Sequence, residues 1–370
     1  MVYNDIKGVL RQFTFEGKFR DVVEVHTGNI NNTYHLYYNT PEGECEYILQ
    51  QINTYAFKKP EEVMSNIRRV TEHLERAVIL EGKRPNRRVL RLISTHDGNW
   101  MYRDEQNRCW RAYNFIKGAV TFDRSETPEQ FREVGRAFGK FQRQLIDFPA
   151  YELNETIVDF HNTRKRFFAF VDAVGRDPVG RAKLVEDEID FFFDRRKMMS
   201  QVVGMIEDGT LPLRVTHNDT KINNVMVDKK TGEALCVIDL DTVMPGSVLY
   251  DYGDAIRSGA NTSFEDEPDT SKVALDMEMF RAFTESFVGE ARTSLTEQEI
   301  RLLPLGVKIM TCELAMRFLT DYLEGDVYFK VRSPEHNLIR TRAQIKLLTD
   351  VEEKYDDLCR VMEELLETSK

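Results

Sequence analysis

The run Thr216-His217-Asn218-Asp219-Thr220-Lys221-Ile222-Asn223-Asn224, followed by Val237-Ile238-Asp239-Leu240-Asp241, decides how this chain is read. The first run follows the apolar residues Leu211, Leu213 and Val215, which puts Asp219 on the turn after a strand-like segment. The second closes the apolar segment from Ala234 to Ile238, which delivers Asp239 at a strand end. Asp and Asn are common turn residues, and any one of them alone would read as structural. Their order is more specific: His-x-Asp, an Asn five residues on, then an apolar strand ending in Asp twenty residues after the first. Phosphoryl transfer asks for positioning, a base for the acceptor hydroxyl and ligands for a charge-neutralising metal, and each part has a candidate here.

Asp219 is the candidate base, and Lys221 stands close enough to offset charge on the phosphoryl group in flight. Asn224 and Asp239 offer hard oxygen ligands to magnesium, and Asp241, pointing the same way two residues along an extended chain, is a further metal candidate. His217 is expected to fix the loop by hydrogen bonds. Asp251 and Asp254, with Arg257 three residues on, are expected to cap a helix and brace the catalytic turns.

The motif resembles that of the protein-kinase-like small-molecule kinases, the superfamily of aminoglycoside phosphotransferases and choline kinases, over nearly the whole chain. More narrowly the chain is similar to the N-acetylhexosamine 1-kinases, a bacterial group within it. The stretches that carry this are Arg214 to Val227, Cys236 to Thr242, Asp251 to Arg257, Tyr47 to Gln50, Tyr113 to Ile116, Met316 to Leu323 and Gly325 to Phe329. The resemblance implies an α+β, protein-kinase-like bilobal fold, with an antiparallel β-rich N-terminal lobe and a mainly helical C-terminal lobe. It also implies ATP and magnesium as cofactors, Asp219 as base and Asp239 as metal ligand.

Composition agrees. A chain of 370 residues is ample for two lobes, and 41% apolar with 31% charged residues is ordinary for a globular protein. A net charge of -11 and a pI near 5.3 lack the electropositive footprint of a nucleic-acid or anionic-membrane binder. Small neutral substrates therefore fit better than polyanions, and the resemblance makes the expected partners a small sugar and a nucleotide, with no nucleic acid, no membrane and no obligate protein partner. Cys45, Cys109, Cys236, Cys312 and Cys359 are odd in number and widely spaced, so they read as reduced thiols. The start of the chain has no signal-like pattern and no apolar run of about 18 residues occurs, so a cytoplasmic protein is expected.

The lobes are expected at residues 1–115, binding nucleotide, and 116–370, binding substrate and carrying the catalytic turn. Residues 22–27, 33–38, 46–52, 89–94, 100–103 and 109–112 read as strands, and 60–77 as a helix lying on the sheet. Helices are expected at 128–146, 156–173, 181–205, 271–288, 296–323 and 336–367, with Phe167, Phe168 and Phe191 to Phe193 in the packing.

The loop from Thr27 to Thr33 is either a plain hairpin turn or a phosphate cradle, which would use Gly28 and Asn31. Residues 113–118 are either an ordinary strand-to-helix connection or, by the resemblance, the linker that meets adenine, with Tyr113 and Phe115 beside it. The third strand lacks the lysine that kinases use on phosphates; Gln50, Gln51, Lys58 or Arg68 would have to stand in. The resemblance assigns the sugar to Asn29, Asp219, Arg317 and Tyr328, although histidine is expected where Asn29 stands. Read without it, Arg317 would pair with Glu313 or Asp321 at helical spacing.

The implied reaction phosphorylates the anomeric hydroxyl of an N-acetylhexosamine, either the gluco or the galacto form, from nucleotide held between the lobes. Two other readings use the same residues. One is a kinase for another sugar, an aminoglycoside or choline, although few acidic residues flank Arg317 to meet a polycation. The other is a nucleotide-binding pseudoenzyme, suggested by the missing lysine.

Overall fold

A computed structural model describes residues 2–25 and 30–368; Gly28 and Asn29 lie outside the described residues. Contacts divide the chain into two compact units. The first is Met1–Val120 with Tyr151–Ile157 and Met226–Met244, and the second is Thr121–Ala150, Val158–Val225 and Pro245–Lys370. The segment carrying Asp239 and Asp241 therefore groups with residues 1–120.

The first unit opens with helix α1 (Val2–Leu10), which the sequence reading did not anticipate. Strands β1 (Lys18–Val25), β2 (Asn32–Thr40) and β3 (Gly43–Ile52) then form an antiparallel meander. Helix α2 (Pro60–Leu80) and the short strands β4 (Leu92–Ile93) and β5 (Tyr102–Arg103) lead to β6 (Cys109–Asn114). The sheet order is β1-β2-β3-β6-β4, with β5 also paired to β6. Alternation along β2 and β3 buries Tyr34, Leu36, Tyr38, Tyr47 and Leu49 against Ile6, Val9 and Leu10 of α1. β4 and β5 are shorter than the sequence suggests because the backbone of Ser94 and His96 pairs with Thr14 and Gln12 outside the sheet. β7 (Ala119–Val120) pairs with the strand Val225–Asp228, which pairs in turn with Ala234–Val237. Helix α2 buries Val63, Ile67 and Val70 and reaches the turn Leu240–Thr242. Its buried Asn66 donates to the carbonyls of Val243 and Asn154 at 3.0 and 2.8 Å.

The second unit is helical: α3 (Pro128–Gln144), α4 (Thr163–Arg176), α5 (Glu186–Asp194), α6 (Gln201–Glu207), α7 (Val248–Gly259), α8 (Met277–Ala291), α9 (Glu297–Glu324), α10 (His336–Glu353) and α11 (Tyr355–Glu367). α9 is its spine, started by a capping box between Thr296 and Glu299 and buried on most sides. α7 crosses it closely enough that a Cβ on Gly253 would strike the carbonyl oxygen of Gly306, and one on Gly306 that of Leu249.

Two expected helices are broken. Residues 181–205 split around Arg195, whose guanidinium leaves the helix line to pair with Glu352 at 3.0 and 2.6 Å and to cover the Phe191 ring. Residues 336–367 split at Lys354, whose ammonium bonds Asp350 and the Leu275 carbonyl at 2.7 and 2.9 Å. The expected helix at 156–173 starts later, where Asn162 caps it. Of the aromatic runs, Phe192 is a core residue and Phe167, Phe191 and Phe193 pack against that core as expected, but Phe168 points outward, 62% exposed. Among the described residues no helix is long and apolar enough to cross a membrane.

Candidate active site

In the second unit the strand Arg214–Thr216 delivers the catalytic turn. Arg214 anchors that strand, donating to both oxygens of Glu299 at 3.0 and 2.8 Å and to the Ser294 carbonyl. Asn218 takes a left-handed conformation, φ 63°, which turns the chain sharply before Asp219. The turn is held from below by Asp251 on α7. Its two oxygens accept the backbone N–H groups of His217 and Asn218, both at 2.8 Å, and Gln142 on α3 donates to it at 2.9 Å. Thr220 adds a bond to the Asp251 carbonyl at 2.6 Å. Burial pushes the Asp251 carboxyl above its usual range, and His217 and the two amides work against that shift. His217 is fully buried, edge-on to Phe138 and Phe141, so it is a loop anchor as expected.

Asp219 itself stays part-exposed. Asn224 donates to its backbone oxygen at 2.8 Å and to Oδ2 at 2.9 Å, and the Lys221 ammonium lies 3.3 Å from Oδ1. Asn224 thus spends its amide nitrogen on Asp219. The charge of Asp219 holds the Lys221 pKa above its usual value despite partial burial. Asp254 pairs with Arg257 at 2.8 and 3.0 Å, and although burial works the other way, that charge keeps its carboxyl low. Asp251 therefore braces the turn as the sequence suggested, while Asp254 pairs within α7 itself, with Arg257 one turn on.

The same unit brings Arg317 and Tyr328 together, the guanidinium 5.8 Å from the ring centroid, with Phe160 and Phe329 at 5.4 and 5.6 Å. Of its two possible partners Arg317 takes Glu313, at 3.6 Å. Asp321 instead accepts the amides of Val327, Tyr328 and Phe329 at 2.9, 2.7 and 3.0 Å, which fixes the turn that presents Tyr328. Tyr328 is 66% exposed.

In the first unit Asp239 sits just past the strand Ala234–Val237 in a left-handed conformation, φ 59°. Asp241 does not match the expectation of a metal ligand. It is 4% exposed, with Oδ1 ion-paired to Arg111 and Oδ2 accepting from Asn31 at 2.7 Å. Both oxygens are engaged, so it is the counter-ion of Arg111. Asn31 is likewise occupied, its oxygen accepting the Asn53 amide at 2.9 Å, and it reads as a clamp on the metal-side loop instead of a phosphate contact.

Arg111, which the sequence reading missed, is the buried cation that pairs with Asp241. It lies on β6 opposite Gln50 of β3, and Gln50 accepts from its Nε and Nη2 at 3.0 and 2.8 Å. Burial alone would lower its pKa, but Asp241 outweighs that and raises it, so the guanidinium is a permanent buried cation. Only the pairing of β3 with β6 reveals it; an Arg in a run of apolar strand residues was the available signal.

Tyr113 lies within β6, its backbone opposite Ile48 and Leu92, and the Phe115 amide donates to Glu46 at 3.1 Å. These two extend the sheet, and the connection toward β7 starts after Asn114. The Phe115 ring stacks on His35 at 4.1 Å. The five cysteines are free thiols, and burial pushes Cys312 up to about 12.

Known proteins agree with this geometry. A model of the phosphotransferase enzyme family, APH, matches residues 21–278. An aminoglycoside phosphotransferase from Alicyclobacillus acidocaldarius superposes with a TM-score of 0.59 at 11% identity, over 97% of this chain and 95% of that one. A choline/ethanolamine kinase family protein from Mesorhizobium loti gives 0.57 at 15% identity, over 98% and 99%. A spectinomycin phosphotransferase, solved with ADP and spectinomycin, gives 0.55 at 12%, over 98% of each chain. At these identities the superpositions show a shared fold.

Proposed function

Because the chain belongs to the phosphotransferase enzyme family APH, whose members act on a hydroxyl acceptor, we propose that it phosphorylates the anomeric hydroxyl of an N-acetylhexosamine, using ATP. The observation that carries the chemistry is the lock on Asp219: Asn224 holds Oδ2, and Oδ1 is the oxygen that receives the proton. The acceptor oxygen attacks the terminal phosphorus, the bond from that phosphorus to the bridging oxygen breaks, and the proton passes to Asp219. The products are a sugar 1-phosphate and ADP. Lys221, 3.3 Å from Oδ1, offsets charge on the transferring group.

Magnesium fits the hard oxygen donors that each unit offers by itself, the Asp239 carboxylate in the first and Asn224 Oδ1 in the second. Held by such oxygens together with the nucleotide's phosphates, it would neutralise their charge. Among the described residues no group of three or more His, Cys, Asp or Glu side chains forms a metal cage, so the remaining ligands would come from phosphate and water. Arg111 supplies fixed positive charge to the Asp239–Asp241 segment where kinases otherwise use a strand lysine.

For the acceptor, Tyr328 offers an exposed ring beside a donor-rich fork, a pairing suited to a sugar ring and an acetamido carbonyl. Incubation with ATP, magnesium and separate acceptors (N-acetylglucosamine, N-acetylgalactosamine, glucose, choline, kanamycin), followed by phosphorus NMR, tests the reading. An anomeric phosphate with either acetamido sugar supports it, and turnover with another acceptor alone overturns the substrate.

A further inference from the structure

A group of side chains in the second unit gathers around Glu313, and the functional reading so far uses only one of them. Glu313 is 1% exposed, and both its oxygens lie within hydrogen-bond reach of His161 Nδ1, at 3.1 and 3.0 Å. An ionised carboxylate only accepts, so Nδ1 carries the hydrogen of that bond. The carboxyl is held ionised: burial opposes this, but His161 and Arg317 overcome it. The His161 side chain is 7% exposed, and Nε2 is buried without a hydrogen-bond partner. Leaving such an atom unsatisfied costs ~1–3 kcal/mol, which a ligand hydroxyl would recover. The ring lies 5.4 Å from that of Tyr250, which immediately precedes Asp251, the brace of the catalytic turn.

Two guanidiniums share this neighbourhood. Arg317 stands among Phe160, Tyr328 and Phe329, and Arg166 donates to the Phe160 carbonyl at 3.1 and 3.0 Å. Glu313 faces both; Asp159 is paired with Lys165 at 2.8 Å, and the buried carboxylates of Asp251 and Asp254 also act on His161.

We infer that His161, held by Glu313, is a second acceptor-recognition residue whose Nε2 forms a hydrogen bond with a hydroxyl of a neutral sugar acceptor. The inference rests on the phosphotransferase reading and adds a residue to it. Nε2 is closed to water in this state, so the contact forms as the acceptor seats.

The test pairs His161→Asn, whose amide can keep the bond to Glu313 but extends no further, with His161→Phe, which keeps the ring and loses both nitrogens. Both variants should raise the KM for N-acetylglucosamine about tenfold or more, the loss of one buried polar contact, while MgADP affinity holds; the melting temperature should hold in His161→Asn and fall in His161→Phe, which leaves the buried Glu313 carboxylate without its hydrogen-bond donor. A KM within about twofold of wild type in folded variants overturns the inference, as does a fall in kcat with KM unchanged. Transfer to choline or kanamycin alone overturns it while leaving the phosphotransferase standing. Transfer to a different neutral sugar with the same KM effect keeps it and overturns only the N-acetylhexosamine assignment. If neither variant folds, the 15N-histidine spectrum of wild type decides: a shift of Nε2 on adding N-acetylglucosamine supports the contact, and no shift overturns it.

Discussion

Arg111 on β6 and Asp241, 130 residues later, form a buried ion pair inside the first unit, with Gln50 completing the guanidinium's bonds on one side and Asn31 the carboxylate's on the other. Removing one partner strands a buried charge. Arg111→Met should therefore cost about 3–5 kcal/mol of stability, and the double change with Asp241→Asn should recover part of it. Urea unfolding of the four proteins measures this. If Arg111 also orders the segment that holds Asp239, the double variant should fold and still bind MgADP more weakly than wild type; equal affinity would reduce the pair to scaffolding.

Asp219→Asn should leave the fold intact, because Asn224 can still bond the remaining amide oxygen, and should lower kcat by about 10²–10⁴-fold with little change in MgADP affinity. Single-turnover phosphate transfer read beside a nucleotide titration separates the two effects. Turnover near wild type would remove Asp219 from the role of base.

The catalytic turn was legible in the sequence because its parts lie within a few residues of one another, and local order survives translation into space. His217, Asn224 and Asp251 sit in the structure much as their spacing suggested. Arg111 was not legible, since its meaning depends on β3 lying beside β6 and on a carboxylate far along the chain. His161 escaped for the same reason, its partner being 152 residues away on α9. Periodicity likewise could not show the helix breaks at Arg195 and Lys354, because each is made by a cation leaving the helix for a distant acceptor. Asp241 shows the reverse error: spacing made it look like Asp239, and burial against Arg111 gave it other work.

Asp228 carries a pH signature. Its bond from Arg87, with the amides of Lys230 and Thr231, draws its carboxyl down to about 2 from an ordinary 3.8. A depressed folded value stabilises the fold above the unfolded pKa, and that contribution fades as pH falls from 3.8 through about 2. Asp228→Asn should thus melt below wild type near neutrality, and the gap should close across that acid window. A gap that stays constant down to the lowest measurable pH would place the effect in packing instead of charge.

Asp251 and Asp254, three residues apart on α7, should behave differently when truncated. Asp251→Ala leaves the amides of His217 and Asn218 and the Gln142 side chain without their acceptor, all of them buried, for a loss of about 2–4 kcal/mol. The turn that carries Asp219 then loses its support, so kcat should fall at least about tenfold even where the protein is folded, since small displacements of a catalytic group are costly. Asp254→Asn keeps an oxygen toward Arg257 and loses from the turn only its charge on Lys221, so its effect should appear mainly in melting temperature, with kcat falling less than in Asp251→Ala. Thermal melts and saturating kinetics on both variants settle the comparison. Equal losses of kcat would mean that α7 acts on the turn as a whole body, and that the two amide bonds to Asp251 are not what aims the base.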